Sequence, residues 1–141
     1  MVDGIAGLLI GVFLALAALH LYWVFGGRAL KLGAVPQVAS RPAFVPSPAM
    51  TLGVALALSA CALLVAGTVG WLPIPIPQRF FCWLVFALAL VFLARAIGDF
   101  RLVGFFKKTH DSAFARLDTR VFSPLCLAIA LGLLRVAVAR Y

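Results

Sequence analysis

Apolar residues gather into four long runs, separated by three connections that hold most of the prolines and most of the basic residues. The runs fall at about 5–25, 49–72, 80–98 and 123–139. At about 1.5 Å per residue a helix of such length covers roughly 30 Å, the thickness of one hydrocarbon core. Ile5–Phe25 and Ala49–Leu72 carry no formal charge, Phe80–Gly98 holds Arg95 near its end, and the fourth run holds Arg135. Ser123 is a suitable N-cap and Pro124 suits a first helical turn, so the fourth helix is expected to start there. The pattern predicts an all-α fold: an integral membrane four-helix bundle, with residues 1–141 as a single transmembrane domain.

The connections differ in character. Pro73-Ile74-Pro75-Ile76-Pro77 cannot be helical and reads as an extended turn. Gly26–Pro48 carries Pro36, Pro42, Pro46 and Pro48 and is expected to be irregular. In Asp99–Phe122, Phe114, Leu117 and Val121 recur at helical spacing, with Asp111 or Ser112 as a cap. That predicts a short interfacial helix in the third connection.

Composition agrees with the pattern. Apolar residues make up 65% of the chain, only 11% are charged, and mean hydropathy is +1.16, far from a soluble domain with about a quarter charged residues. The first run lacks a basic residue ahead of it and is too long for a signal sequence, so it reads as a retained span. The net charge of +8 would point to nucleic acid in a soluble protein. Beside apolar spans it points instead to anionic lipid headgroups, and no nucleic-acid partner is expected. Arg28, Lys31, Arg41, Arg101, Lys107, Lys108, Arg116 and Arg120 lie in the two long connections, against Arg79, Arg135 and Arg140 on the other side. The positive-inside rule then places the long connections in the cytoplasm and both termini outside, in the periplasm of a bacterial host.

Orientation turns the ionisable interruptions into a pattern. His20 lies near the inner end of the first helix, Arg95 and Asp99 at the inner end of the third, and Asp118 just before the fourth. His20, Trp23, Arg95, Asp99, Arg101 and Asp118, with Tyr22 beside them, are thereby expected in one layer near the cytoplasmic face, as a ligand-binding set. Arg95 and Asp99 stand four residues apart and are expected to pair on one helix face. A buried charge in a span is costly, so such residues are examined first for function. Their bland reading is a satisfied interfacial histidine and a structural ion pair.

Other candidates are weaker. Gly7, Gly11, Ala15 and Ala18 form a small-residue stripe on the first helix, expected to pack within the chain rather than make a homo-oligomer. Gly53, Ala57 and Cys61 repeat the spacing on the second. Cys61, Cys82 and Cys126 fall at different depths, so no disulfide is expected, and no CxxC motif is present. His20 and His110 are poor metal or haem evidence, and neither a metal nor a cofactor is expected.

Three elements resemble a known family. They are His20-Leu21-Tyr22-Trp23 with Gly26-Gly27-Arg28, then Arg95-Ala96-Ile97-Gly98-Asp99-Phe100-Arg101 with Gly104-Phe105-Phe106-Lys107, then Phe114-Ala115, Asp118-Thr119 and Ser123-Pro124-Leu125-Cys126. Together they resemble a family of small bacterial inner-membrane proteins known as a domain of unknown function with four spans. The resemblance implies four spans and a bacterial membrane, and implies no activity. The two halves also look alike, each an outward-to-inward helix, a Gly-containing turn and a return helix.

Three functions fit. The foremost is binding of a small polar or amphiphilic ligand in a pocket at the cytoplasmic face, with or without a transport path. The second is an accessory subunit of a membrane complex. The third is an acid–base enzyme with His20 as base and Asp99 orienting it, which no nucleophile motif supports.

Overall fold

The computed structural model describes residues 1–38, 41–108, 110 and 112–141, with the side chains of Lys31, Leu32, Gln37 and Val38 excepted. Four long helices form an antiparallel bundle: α1 (Val2–Val24), α3 (Pro48–Thr68), α4 (Gln78–Ile97) and α6 (Ser123–Arg140). Between α1 and α3 lie a one-turn helix α2 (Lys31–Ala34) and a minimal antiparallel ladder, β1 (Gln37–Val38) against β2 (Arg41–Pro42). A short helix α5 (Ala113–Leu117) precedes α6. All four long helices are apolar and long enough to cross a membrane. The chain is a multi-pass membrane protein.

The bundle is built from two hairpins. α1 packs most closely on α3 and α4 on α6, while α3 against α4 and α1 against α6 close the ring. The seam is filled by Ala6, Leu9, Phe13, Val65, Val85, Leu133 and Val136, all buried. The outer surfaces of the helices stay apolar, as in Leu8, Leu56, Val91 and Leu131, because lipid rather than water is their solvent.

Helix ends explain where the spans stop. α1 ends in a Schellman turn: Gly26 takes φ +91°, its N–H bonds to the Trp23 carbonyl, and the Gly27 N–H bonds to the Tyr22 carbonyl. α3 ends the same way at Gly70, so it stops at Thr68 rather than running on to Leu72. The Gln78 side chain then donates to the Thr68 carbonyl (2.8 Å), tying the start of α4 to the end of α3. At this end Asp3 pairs with Arg140, joining the two terminal helices.

The fourth span begins earlier than its Ser-Pro signal. α5 runs into α6 through a wide π turn at Asp118–Phe122, giving one helix over Ala113–Arg140. Pro124 accounts for the widening. It has no N–H for the carbonyl four residues back, and its ring crowds that carbonyl; instead the Ser123 N–H reaches the Asp118 carbonyl, five residues back. Ser123 is therefore not the cap of this helix. Ser112 is, its hydroxyl accepting from the Ala115 N–H (3.0 Å); Asp111, the other expected cap, lies outside the described residues.

The small-residue stripe of α1 does not pack inside the chain. Trp71 approaches Gly7, but Gly11, Ala15 and Ala18 are exposed, as are Gly53 and Ala57 on α3. The face of α1 that meets the bundle is Ala6, Leu9, Phe13 and Ala17.

Candidate functional site: a hollow hairpin beside a sealed one

Both long connections lie at one end of the bundle, and α2 rests against α5 there. The expected polar residues are at this end, but they divide into two groups.

The first group closes the α4–α6 hairpin at this end. Asp118 is fully buried and accepts four hydrogen bonds. Arg95 Nη2 donates to Oδ1 (2.8 Å); the Gly104 N–H (2.8 Å), Lys107 Nζ (3.0 Å) and the Ser123 hydroxyl (3.2 Å) donate to Oδ2. That uses about all the acceptor capacity of a carboxylate. Lys107 is buried too, and its three protons go to Asp118, the Gly104 carbonyl (3.0 Å) and the Thr119 hydroxyl (2.6 Å). The widening at Asp118–Phe122 sets Asp118 and Ser123 to face each other within this cluster.

Arg95 thus pairs with Asp118, not with Asp99 as the four-residue spacing predicted. Asp99 lies beyond the last turn of α4, where its Oδ1 accepts from the N–H groups of Arg101 (2.9 Å), Leu102 (2.7 Å) and Val103 (3.0 Å). The N–H of Val103, ahead of those of Arg101 and Leu102, holds its carboxyl below the usual carboxylate range. The turn folds back until Gly98 and Gly104 touch. A Cβ on Gly98 would stand 1.8 Å from the Val103 carbonyl oxygen, and one on Gly104 would stand 2.3 Å from that of Ile97. The Phe105 N–H caps the Ala96 carbonyl (2.9 Å), which leaves Gly104 aimed at Asp118. Arg101 contributes its backbone; its side chain is exposed.

The second group surrounds a cavity of about 240 Å³ at the same end of the α1–α3 hairpin. His20 and Trp23 from α1, Ala34 and Val35, Phe44 and Pro46, and Met50, Thr51 and Val54 from α3 form its wall. None of Arg95, Asp99, Arg101 or Asp118 is in that wall, so the expected set does not converge on one pocket. Trp23 is buried, donates from Nε1 to the Ala29 carbonyl (2.7 Å), and meets the His20 ring edge-on at 4.9 Å. His20 Nδ1 lies 2.7 Å from the Leu16 carbonyl. A carbonyl only accepts, so Nδ1 carries a proton, and when the ring is neutral Nε2 presents a lone pair. Tyr22 is exposed.

Lys107 and Thr119 stand in the family-like elements but are not singled out there as site residues, and nothing in the pattern marks Thr51 or Phe44. Lys107 and Lys108 are adjacent and chemically alike; only the fold buries the first and exposes the second.

The family model described as Protein of unknown function (DUF3995) matches residues 13–133, from mid-α1 to mid-α6. The chain belongs to this family. The match includes both the cavity and the ion cluster. No curated protein and no solved structure matches the chain.

Proposed function

We propose that this DUF3995 protein binds a small amphiphilic molecule in the His20 cavity. The observation that carries the reading is the hollow itself: a partly open space at the polar end of a membrane hairpin, with aromatic and aliphatic walls and a ring nitrogen, His20 Nε2, that has no partner among the described residues. A pocket of about 240 Å³ is at the small end for ligands, so it takes a head group or a short molecule. In the ion cluster of the other hairpin the carboxylate of Asp118 and the ammonium of Lys107 have their bonds filled, while Arg95 Nη1 is buried without a partner among the described residues, and the cluster acts as a structural closure. This separates the six expected ligand residues into two ligand contacts, His20 and Trp23, and a frame made by Arg95, Asp99, Arg101 and Asp118. An acid–base enzyme with Asp99 orienting His20 has no support, since Asp99 Oδ1 is taken up by its own turn.

Trp23 reports on the site. In the chain carrying Trp71→Phe and Trp83→Phe, a bromoalkanol is expected to quench Trp23 fluorescence saturably, and Ala34→Phe, which fills the cavity, is expected to abolish saturation. Linear quenching that ignores Ala34→Phe would show simple partitioning into the detergent and defeat the reading.

The basic end faces the cytoplasm of a bacterium and the protein lies in the inner membrane, on the lysine and arginine distribution. A phosphatase fused after Tyr141 is then active; an inactive fusion reverses the orientation. A second reading, an accessory subunit or homo-oligomer, is favoured by the exposed small face of Gly11, Ala15 and Ala18. Gly11→Leu dissociating a purified assembly supports it, and a monomer at all protein concentrations removes it.

A further inference from the structure

Three polar side chains border the His20 cavity, and each has already committed its proton. His20 donates from Nδ1 to the Leu16 carbonyl, Trp23 from Nε1 to the Ala29 carbonyl, and Thr51 from Oγ1 to the Ser47 carbonyl (3.0 Å). What these side chains can still offer is acceptors only: the Nε2 lone pair of His20 and the remaining lone pairs of the Thr51 hydroxyl. The indole has no acceptor at all. The remaining side chains of the wall are apolar, from Ala34, Val35, Phe44, Pro46, Met50 and Val54. Pro46 has no backbone N–H to add.

We propose that the cavity selects amphiphiles whose uncharged head donates a hydrogen bond, a phenol or an alcohol, over heads that only accept, such as ethers, ketones and esters. The inference rests on the cavity being a ligand site, and adds the chemical class of the ligand. An accepting head brought against Nε2 and Thr51 Oγ1 places lone pair against lone pair and leaves those acceptors without a partner. A hydroxyl placed there satisfies Nε2 and gives the buried acceptors their partner. The aromatic faces of Trp23 and Phe44 and the thioether of Met50 suit a ring, so the phenol is the preferred donor.

The test uses a matched pair: a fluorinated para-alkylphenol and its methyl ether, which differ only in the donor. Binding to the full chain in mild detergent is followed by fluorine NMR in mildly alkaline buffer, where a histidine is neutral. The phenol is expected to bind about tenfold more tightly, the worth of one good hydrogen bond. His20→Phe, which keeps the ring volume and removes Nε2, is expected to bring the ratio down to that of empty micelles. Thr51→Val, a substitution of matched shape, is expected to lower the ratio by less, and it keeps the question answerable if His20→Phe does not fold. Equal binding of phenol and ether, displaced from both by Ala34→Phe, overturns donor selection while leaving the cavity a ligand site. Failure of both probes to bind saturably overturns the cavity reading itself. A preference for phenol unchanged in both variants places its origin outside the cavity and also overturns the inference.

Discussion

Asp118 and Asp99 are both carboxylates at the basic end, and their surroundings give them different weights. Asp118 is enclosed with Lys107, so removing its charge strands an ammonium group in an apolar interior. Asp118→Asn is predicted to cost about 3–5 kcal/mol, read as a large fall in Tm in mild detergent. Lys107→Met is predicted to cost less, since Asp118 keeps Arg95, Ser123 and the Gly104 N–H. Equal, small effects of the two substitutions would show that the cluster is not buried. Asp99 is exposed and holds only its own turn. Its folded pKa is depressed, so its stabilising contribution is complete above the unfolded value of about 3.9 and is lost as pH falls through the folded value. Hydrogen exchange at the Arg101, Leu102 and Val103 amides is predicted to rise in that acid window, and Asp99→Asn to remove the dependence. Sequence alone showed that His20, Arg95, Asp99 and Asp118 share a depth. It could not show their partners, because Arg95 lies four residues from one aspartate in sequence and touches another twenty-three residues away in space.

At the level of elements, Pro124 and the Gly98–Gly104 contact shape the sealed hairpin. The apolar runs located all four spans, since length and hydropathy respond to the bilayer alone. They did not show that α5 continues into α6, because a proline directly after a helix cap and a proline that forces a π turn read alike. The small-residue spacing misled for a similar reason: GxxxG permits close approach but does not say which neighbour approaches. Gly104 needs φ +89° and has no room for a Cβ, whereas a Cβ on Gly53 would meet nothing within 4 Å. Gly104→Ala is therefore predicted to lose at least about 2 kcal/mol, from left-handed strain plus the clash, and Gly53→Ala to stay within about 0.5 kcal/mol of the parent. Thermal unfolding of the two variants side by side checks this, and similar Tm values would contradict the tight turn.

Across the whole molecule, the likeness between halves has structural substance and a difference that matters. Each descending helix, α1 and α4, gives way to a glycine at positive φ, Gly26 and Gly98, and a Ser-Pro pair stands at the start of each return helix, Ser47-Pro48 and Ser123-Pro124. At equivalent places, three residues before those glycines, stand Trp23 and Arg95. In the second hairpin Arg95 meets Asp118, and Lys107 completes a closed cluster. In the first hairpin Trp23 turns to the Ala29 carbonyl and leaves a space beside His20. At the end that holds the long connections, one hairpin is locked by buried charge and the other is left hollow, so a rigid frame stands beside the site. What occupies that space decides whether the hollow is a ligand site. A structure determined in a lipid phase is predicted to show elongated density in the His20 cavity, its polar end about 3 Å from Nε2, with Asp118, Lys107 and Arg95 closed upon one another. A cavity collapsed onto Trp23, with His20 turned out to the lipid and no density beside it, would contradict the account.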